Sequence, residues 1–370
     1  MQVWSPAKAA AARDTAKLEA LIAEEGANHP HDWRHYAEKL RKREHDLDEA
    51  ELKPYLSLDA MIAAQFDVAQ RLFGLSFEPL DVPLHHPDAR AWEVKKGKRH
   101  MGVFIGDYFA RSSKRSGAWC SSFRSQRKLG GEVRPVTINV CNFAKAEPAL
   151  LTWDDARTLF HEFGHALHNL MSDVTYPMIS GTSVARDVVE LPSQLYEHWL
   201  AVPDILRTHA RHVHTSEPMP EALLEKVLGA ETFDQGFATV EYLASALVDL
   251  DFHDGPAPSD PMAAQAKTLA RLGAPAAIPM RHATPHFQHI FAGDGYSSGY
   301  YSYMWSEVMD ADAFAAFEET GDPFHPELAE KLLTHIYAAG GSADPDQLYT
   351  AFRGQMPGPD ALLKGRGLEA

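Results

Sequence analysis

"LFHEFGHALHNL", residues 159–170, sets His161, Glu162, His165 and His168 within two helical turns. At about 100° per residue, Leu159, Phe163, Ala166 and Leu170 line one face of a helix, and His161, His165 and His168 gather on the opposite face. "HEFGH" (161–165) matches H-E-x-x-H, in which two histidines one turn apart bind zinc and the glutamate activates water. The competing reading is a solvated polar face in a chain with 20 histidines. Segregation of the histidines from the apolar stripe favours the metal. Thr152 and Asp155 supply a capped helix start.

A catalytic zinc takes three protein ligands and keeps one position open for water. The metzincin pattern is excluded, because it needs a glycine where this chain has His168 and a histidine where it has Met171. His168 sits a further turn along, which suits a supporting or substrate contact better than ligation. "SGTSVARDVVELPSQLYEHW" (180–199) offers two carboxylates, Glu190 and Glu197, two turns apart on one side, with Pro192 starting or kinking the helix. Spacing does not choose between them, and a surface ion pair is the ordinary use of either.

Composition narrows the class. The chain has 370 residues, 45% hydrophobic and 23% charged, as in soluble globular proteins. Its two cysteines, Cys120 and Cys141, exclude a disulfide framework and a cysteine zinc site, and point to a reducing cytoplasm. A formal charge of −16 argues against a nucleic-acid partner. It favours neutral or basic ligands, although a local patch can oppose the total. No run of about 18 apolar residues is present, so no membrane span is expected.

Further out, helical signals dominate. In "MQVWSPAKAAAARDTAKLEALIAEEG" (1–26), Ser5 can cap a helix, Pro6 suits its first turn and Gly26 can stop it. "SLDAMIAAQFDVAQRLFG" (57–74) has Ser57 as cap, a stripe through Leu58, Ile62, Phe66, Ala69 and Phe73, and Gly74 as stop. "RHMGVFIGDYFARS" (99–112) and "RPVTINVCNF" (134–143) are β-rich and partly alternating, and predict a small sheet. From Thr152 the helical pattern returns, broken at 217–222, 254–261 and 291–301. No break makes a clear linker. The reading is one mostly α domain over 1–370: a helical lead-in (1–85), a β-containing insert (86–145) and a helical part (146–370).

These residues resemble the thimet-oligopeptidase family of zinc peptidases, which includes oligopeptidase A and bacterial dipeptidyl carboxypeptidases. "FHEFGHALH" (160–168) and the glutamate of "DVVELPSQ" (187–194) carry the resemblance first. It extends through residues 32–59, "GDYFARSSKRSGAW" (106–119), "RPVTINVCNF", "RHATPHFQHIFAGDGYSSGYYSYMWSEV" (281–308) and "FRGQMPGPDALLKGRGL" (352–368). The resemblance implies a mainly α zinc-peptidase catalytic domain with a small β-sheet insert, lacking the N-terminal helical half of longer relatives. It makes His161, His165 and Glu190 the ligands of one zinc per chain and Glu162 the general base. Tyr303 corresponds to an oxyanion donor, Tyr296 and Tyr300 to substrate contacts, and His289 to a nearby site histidine. Glycines 293, 295 and 299 fit a mobile loop around those tyrosines. The small sheet could hold an extended peptide by strand addition.

Two local departures accompany the resemblance: "AGDGY" (292–296) has an extra residue relative to many relatives, and "FRGQMPG" (352–358) is less charged than its usual counterpart. The implied activity is cleavage of internal bonds in short peptides, with release of C-terminal dipeptides as the alternative. A third reading is an inactive zinc-binding half that acts as a scaffold, either through self-association or with a missing N-terminal half.

Overall fold

The histidine-bearing helix spans Trp153–Met171 in the computed structural model, which describes residues 1–25 and 33–369. Thr152 Oγ accepts from the Asp155 N–H at 2.9 Å, and the Asp155 carboxylate accepts from the Thr152 N–H at 3.0 Å. Two otherwise orphaned donors are thereby satisfied reciprocally. The helix Leu58–Phe73 also has its expected ends. Ser57 accepts from Ala60 N–H, and Gly74 stops the helix at φ 70°, a left-handed conformation that side chains resist. Leu58, Ile62, Ala69 and Phe73 are buried, whereas Phe66 is half-buried and stacks on Phe77 at 4.0 Å.

The chain divides into two compact units, one made of residues 1–47, 225–308 and 358–370, the other of 48–224 and 309–357. The second unit contains a sheet of β1 (Leu75–Pro79), β2 (Arg90–Lys96), β3 (Arg99–Phe109), β4 (Trp119–Arg124) and β5 (Val136–Phe143), in the order β1-β2-β3-β5-β4. Neighbours are antiparallel except β3 and β5, which run parallel with Ile105 opposite Ile138. The two predicted segments are β3 and β5. The other three strands are short or strongly charged and carry little apolar alternation, and β1 falls ahead of residue 86.

Both faces of this sheet are covered. Ala91, Ile105, Ile138 and Val140 form one apolar cluster, with Leu80 and Leu84 packed on it. On the opposite face Phe104 meets Phe66 and Phe163 at 6.2 and 5.1 Å, so the helices Leu58–Phe73 and Trp153–Met171 lie against it. Burial on both sides explains why β3 and β5 alternate only in part.

In the first unit, helix Trp4–Glu25 packs along helix Gln235–His253. The approach is close because of Gly236, where a Cβ would stand 2.4 Å from the Ala11 nitrogen. The helix begins at Trp4, so Ser5 and Pro6 both lie in its first turn, and Gly26 lies outside the described residues. Among the described residues no helix is long and apolar enough to cross a membrane.

β3 ends on a buried charge. Asp107 is 1% exposed and pairs with Arg111 at 2.7 and 2.6 Å, Lys114 at 2.9 Å and His85 at 2.8 Å. Lys114 also donates to the carbonyls of Asp107, Phe109 and Cys141, tying the β3–β4 loop to β5. Burial raises the Asp107 carboxyl, but the bonds from Arg111, His85 and Lys114 outweigh it and hold the group well below the usual carboxylate range. Its stabilisation is therefore complete above the unfolded value of about 3.9 and is lost as the pH falls towards the folded one. Asp107→Asn is expected to cost about 3 kcal/mol at pH 7, because it leaves buried cations uncompensated. Thermal melts of both proteins should show that gap narrowing as the pH drops below about 4. A gap that stays constant down to pH 3 would refute this account.

Candidate functional site

One turn apart on the helix Trp153–Met171, the His161 and His165 rings meet edge to face at 5.0 Å. Glu190 stands at the junction of two short helices, Arg186–Val189 and Leu191–Glu197. Its Oε2 lies 3.0 Å from His165 Nε2 and 3.4 Å from His161 Nε2. Ser193 Oγ donates to the Glu190 carbonyl at 2.8 Å and lies 3.2 Å from the same Oε2. One ligand atom from each of His161, His165 and Glu190 falls within 4.8 Å of the others. Donors on a tetrahedral zinc stand roughly 3.3–3.5 Å apart, given bonds of about 2.0–2.2 Å. The two imidazoles and one carboxylate thus fit a zinc and leave a fourth position open.

Glu197 occupies a different place from Glu190. Its Oε1 accepts from His161 Nδ1 at 2.6 Å, and its Oε2 accepts from Arg157 Nε at 2.5 Å. Burial alone would raise this carboxyl, but the Arg157 charge and the His161 bond bring it down to about 2. Glu190 is likewise raised by burial and then pushed well below its ordinary value by His165 and His161. His161 responds in kind: burial lowers it, while its bonds to Glu190 and Glu197 hold it well above 6.5.

Glu162 shares the region without joining the ligand set. It is 5% exposed, and its Oε2 has no hydrogen-bond partner among the described residues. Burial raises its carboxyl, and the neighbouring Glu190 and Glu197 charges outweigh part of the opposing pull of the two histidines. His168 lies elsewhere on the helix. It is 3% exposed, faces the Tyr337 ring edge-on at 6.3 Å, and burial lowers its pKa to about 3, so its ring is neutral. The histidine face is therefore not solvated, since His165, His168 and Asn169 are all buried.

The first unit gathers the other predicted residues. The Tyr296 and Tyr303 rings stack at 5.6 Å, and Tyr303 Oη donates to Tyr296 Oη at 3.2 Å. His289 lies 5.3 Å from the Tyr300 ring, 6.0 Å from Tyr296 and 6.4 Å from Tyr303. Tyr300 is 4% exposed, and burial pushes its phenol up to about 12. Two residues that sequence reasoning missed complete this cluster. His282 Nε2 stands 3.1 Å from Tyr300 Oη, and Tyr242 donates to the Tyr300 carbonyl.

Gly164 was also missed. A Cβ there would stand 2.6 Å from both Pro192 O and Ser193 Cα and 3.0 Å from Tyr196 Cβ. The bare backbone lets helix Leu191–Glu197 close onto the histidine helix and carries Glu190 to the imidazoles. A glycine inside an otherwise strong helical pattern was the available signal.

The profile of peptidase family M3 matches residues 2–368. The chain is 42% identical over 349 residues to the dipeptidyl carboxypeptidase of Salmonella typhimurium, covering 91% of this chain and 51% of that protein. It is 39% identical to the dipeptidyl carboxypeptidase of Escherichia coli, covering 99% and 55%. It is 37% identical to oligopeptidase A of Escherichia coli, covering 96% and 54%. The chain thus spans about half the length of these relatives.

Gly164→Ala tests the helix contact. Alanine normally stabilises a helix by about 1 kcal/mol over glycine, but here overpacking should dominate and cost about 2 kcal/mol. A rise in melting temperature would contradict the close approach.

Proposed function

The chain belongs to peptidase family M3, and from that premise we propose that it is a zinc peptidase cleaving internal bonds of short peptides. The observation that carries this reading is a single Glu190 oxygen facing the Nε2 atoms of His161 and His165, with the Glu162 carboxyl buried beside them. One zinc per chain would be held by His161, His165 and Glu190, supplying a Lewis acid that polarises a carbonyl and acidifies water. Glu162, its affinity for a proton raised by burial, takes the proton from water and passes it to the leaving amine. Arg157 fixes Glu197, and Glu197 holds the proton on His161 Nδ1, which leaves Nε2 as the lone-pair donor.

The reading treats residues 1–370 as one catalytic domain. Family resemblance gives Tyr303 the role of oxyanion donor, Tyr296 and Tyr300 substrate contacts, and His289 a supporting part. Their gathering into one cluster agrees with those roles. The peptide would add as a strand to β4, one of the sheet's two outer strands. β4 also runs beside the histidine helix, where Asn169 Nδ2 reaches Cys120 Sγ at 3.6 Å. Both cysteines are free thiols, in keeping with a reducing compartment.

A second reading, release of C-terminal dipeptides, draws support from the names of the relatives that share 42% and 39% identity. Digestion of a mixed set of short peptides by zinc-loaded protein, followed by mass spectrometry, separates the two. Internal cuts are expected, whereas successive losses of two C-terminal residues would establish the second reading. Glu162→Gln should lower either activity by roughly 10²-fold or more. No cleavage by a folded, zinc-loaded chain would sink both and leave a metal-holding scaffold.

Glu197→Ala should weaken zinc binding about 10- to 100-fold, because His161 loses the group that orients it. Competition with a chromogenic chelator measures this without any substrate. Unchanged affinity would remove Glu197 from the account.

A further inference from the structure

The tyrosine-bearing loop is held by one buried carboxylate. Asp249, on the helix Gln235–His253, is 0% exposed. Its Oδ1 accepts from the Ser298 N–H at 2.9 Å and its Oδ2 from the Tyr300 N–H at 2.9 Å. His253 Nδ1, one turn along, lies 2.9 Å from Oδ1. From the same helix, Tyr242 Oη donates to the Tyr300 carbonyl and accepts from the Met304 N–H at 3.2 Å.

Between the two clamped amides the backbone is strained. Ser298 has φ 58°, in the left-handed region, where a Cβ crowds the backbone. Glycines flank the turn, but the left-handed position itself falls on serine. That conformation persists only where its surroundings enforce it, and the Asp249 carboxylate is the group that grips both of its sides. Nearby bonds support the same turn: Ser297 Oγ donates to the Ile290 carbonyl at 3.1 Å, and Gly299 N–H to the Tyr296 carbonyl at 2.9 Å.

We propose that Asp249 is a positioning residue that keeps Ser298 left-handed and so fixes how Tyr296, Tyr300 and Tyr303 are presented. The functional half of this statement rests on the reading of those tyrosines as substrate-contacting groups. A carboxylate suits the task because both of its oxygens accept. The amide of asparagine has nearly the same shape but points a donor at one of the two N–H groups.

The test uses the zinc-loaded full chain and its Asp249→Asn variant. Amide hydrogen exchange, read by mass spectrometry with residue-resolved fragmentation, should accelerate at least about tenfold at Ser298 and Tyr300. Peptide cleavage should lose about tenfold or more in kcat with KM changed much less, since misplacing a group by an ångström costs rate more than binding. Adding Ser298→Gly to the variant should recover about threefold or more of kcat, because glycine adopts the left-handed turn without steric cost.

A merely structural role would lower the melting temperature of both variants and give no such recovery. Unaltered exchange at the two amides overturns the proposal, as does absence of recovery by glycine in an enzyme that still cleaves. Failure of the wild type to cleave counts against the proposed function instead, and the exchange experiment then decides the clamp alone.

Discussion

Three carboxylates, the buried Glu162 and Glu190 and the half-buried Glu197, crowd around His161 and His165, with the exposed guanidinium of Arg157 against Glu197, and this imbalance governs the site. With neutral imidazoles, three negative charges against one positive leave an excess of two. Burying even one uncompensated ion costs several kcal/mol, so the excess must be met by a cation or by protons. Burial and the neighbouring carboxylates raise the proton affinity of Glu162, and the bonds to Glu190 and Glu197 raise that of His161. A divalent ion between His161, His165 and Glu190 would remove the excess outright. It would also require neutral imidazoles, so binding of such an ion would release protons.

Geometry makes this crowding attainable. Two helices can bring such groups together only if their backbones approach closely, and Gly164 is where that happens. The sheet contributes by closing the opposite side. Phe104 meets Phe163 on the histidine helix, which fixes the helix's rotation and turns His161 and His165 towards Glu190. Packing on the apolar stripe and chemistry on the polar one are thus two consequences of a single helix orientation.

Much of this was legible in the residues. The Thr152–Asp155 box, the Ser57 and Gly74 ends and the histidine spacing are local patterns, set by neighbours within a few positions. The choice between Glu190 and Glu197 was not local. Both turn towards His161, but Glu190 reaches its Nε2 and Glu197 its Nδ1, and which nitrogen each meets depends on the chain bend before Pro192. The burial of His168 and the three unforeseen strands were equally hidden, because they follow from what packs above them. Asp249 carried no signal at all: an acidic residue followed by Asp251 and Asp254 in a helical stretch looks like a solvated one until the loop that it holds is in place.

Net charge is a poor guide to the charges along β4. The chain carries −16 overall, yet residues 111–134, which include β4, hold seven lysines and arginines against one glutamate. Several of these cations are committed: Arg111 and Lys114 to Asp107, Arg134 to the carbonyls of Met101 and Leu170, and Lys128 to Asp173. Arg115, Arg124 and Arg127 make no ion pair with the described residues. At physiological ionic strength charges are screened beyond about 8 Å, so a peptide lying on β4 would respond to the groups nearest that strand, Arg124 within it and Glu162 beside Cys120 among them, and not to the total charge of the chain.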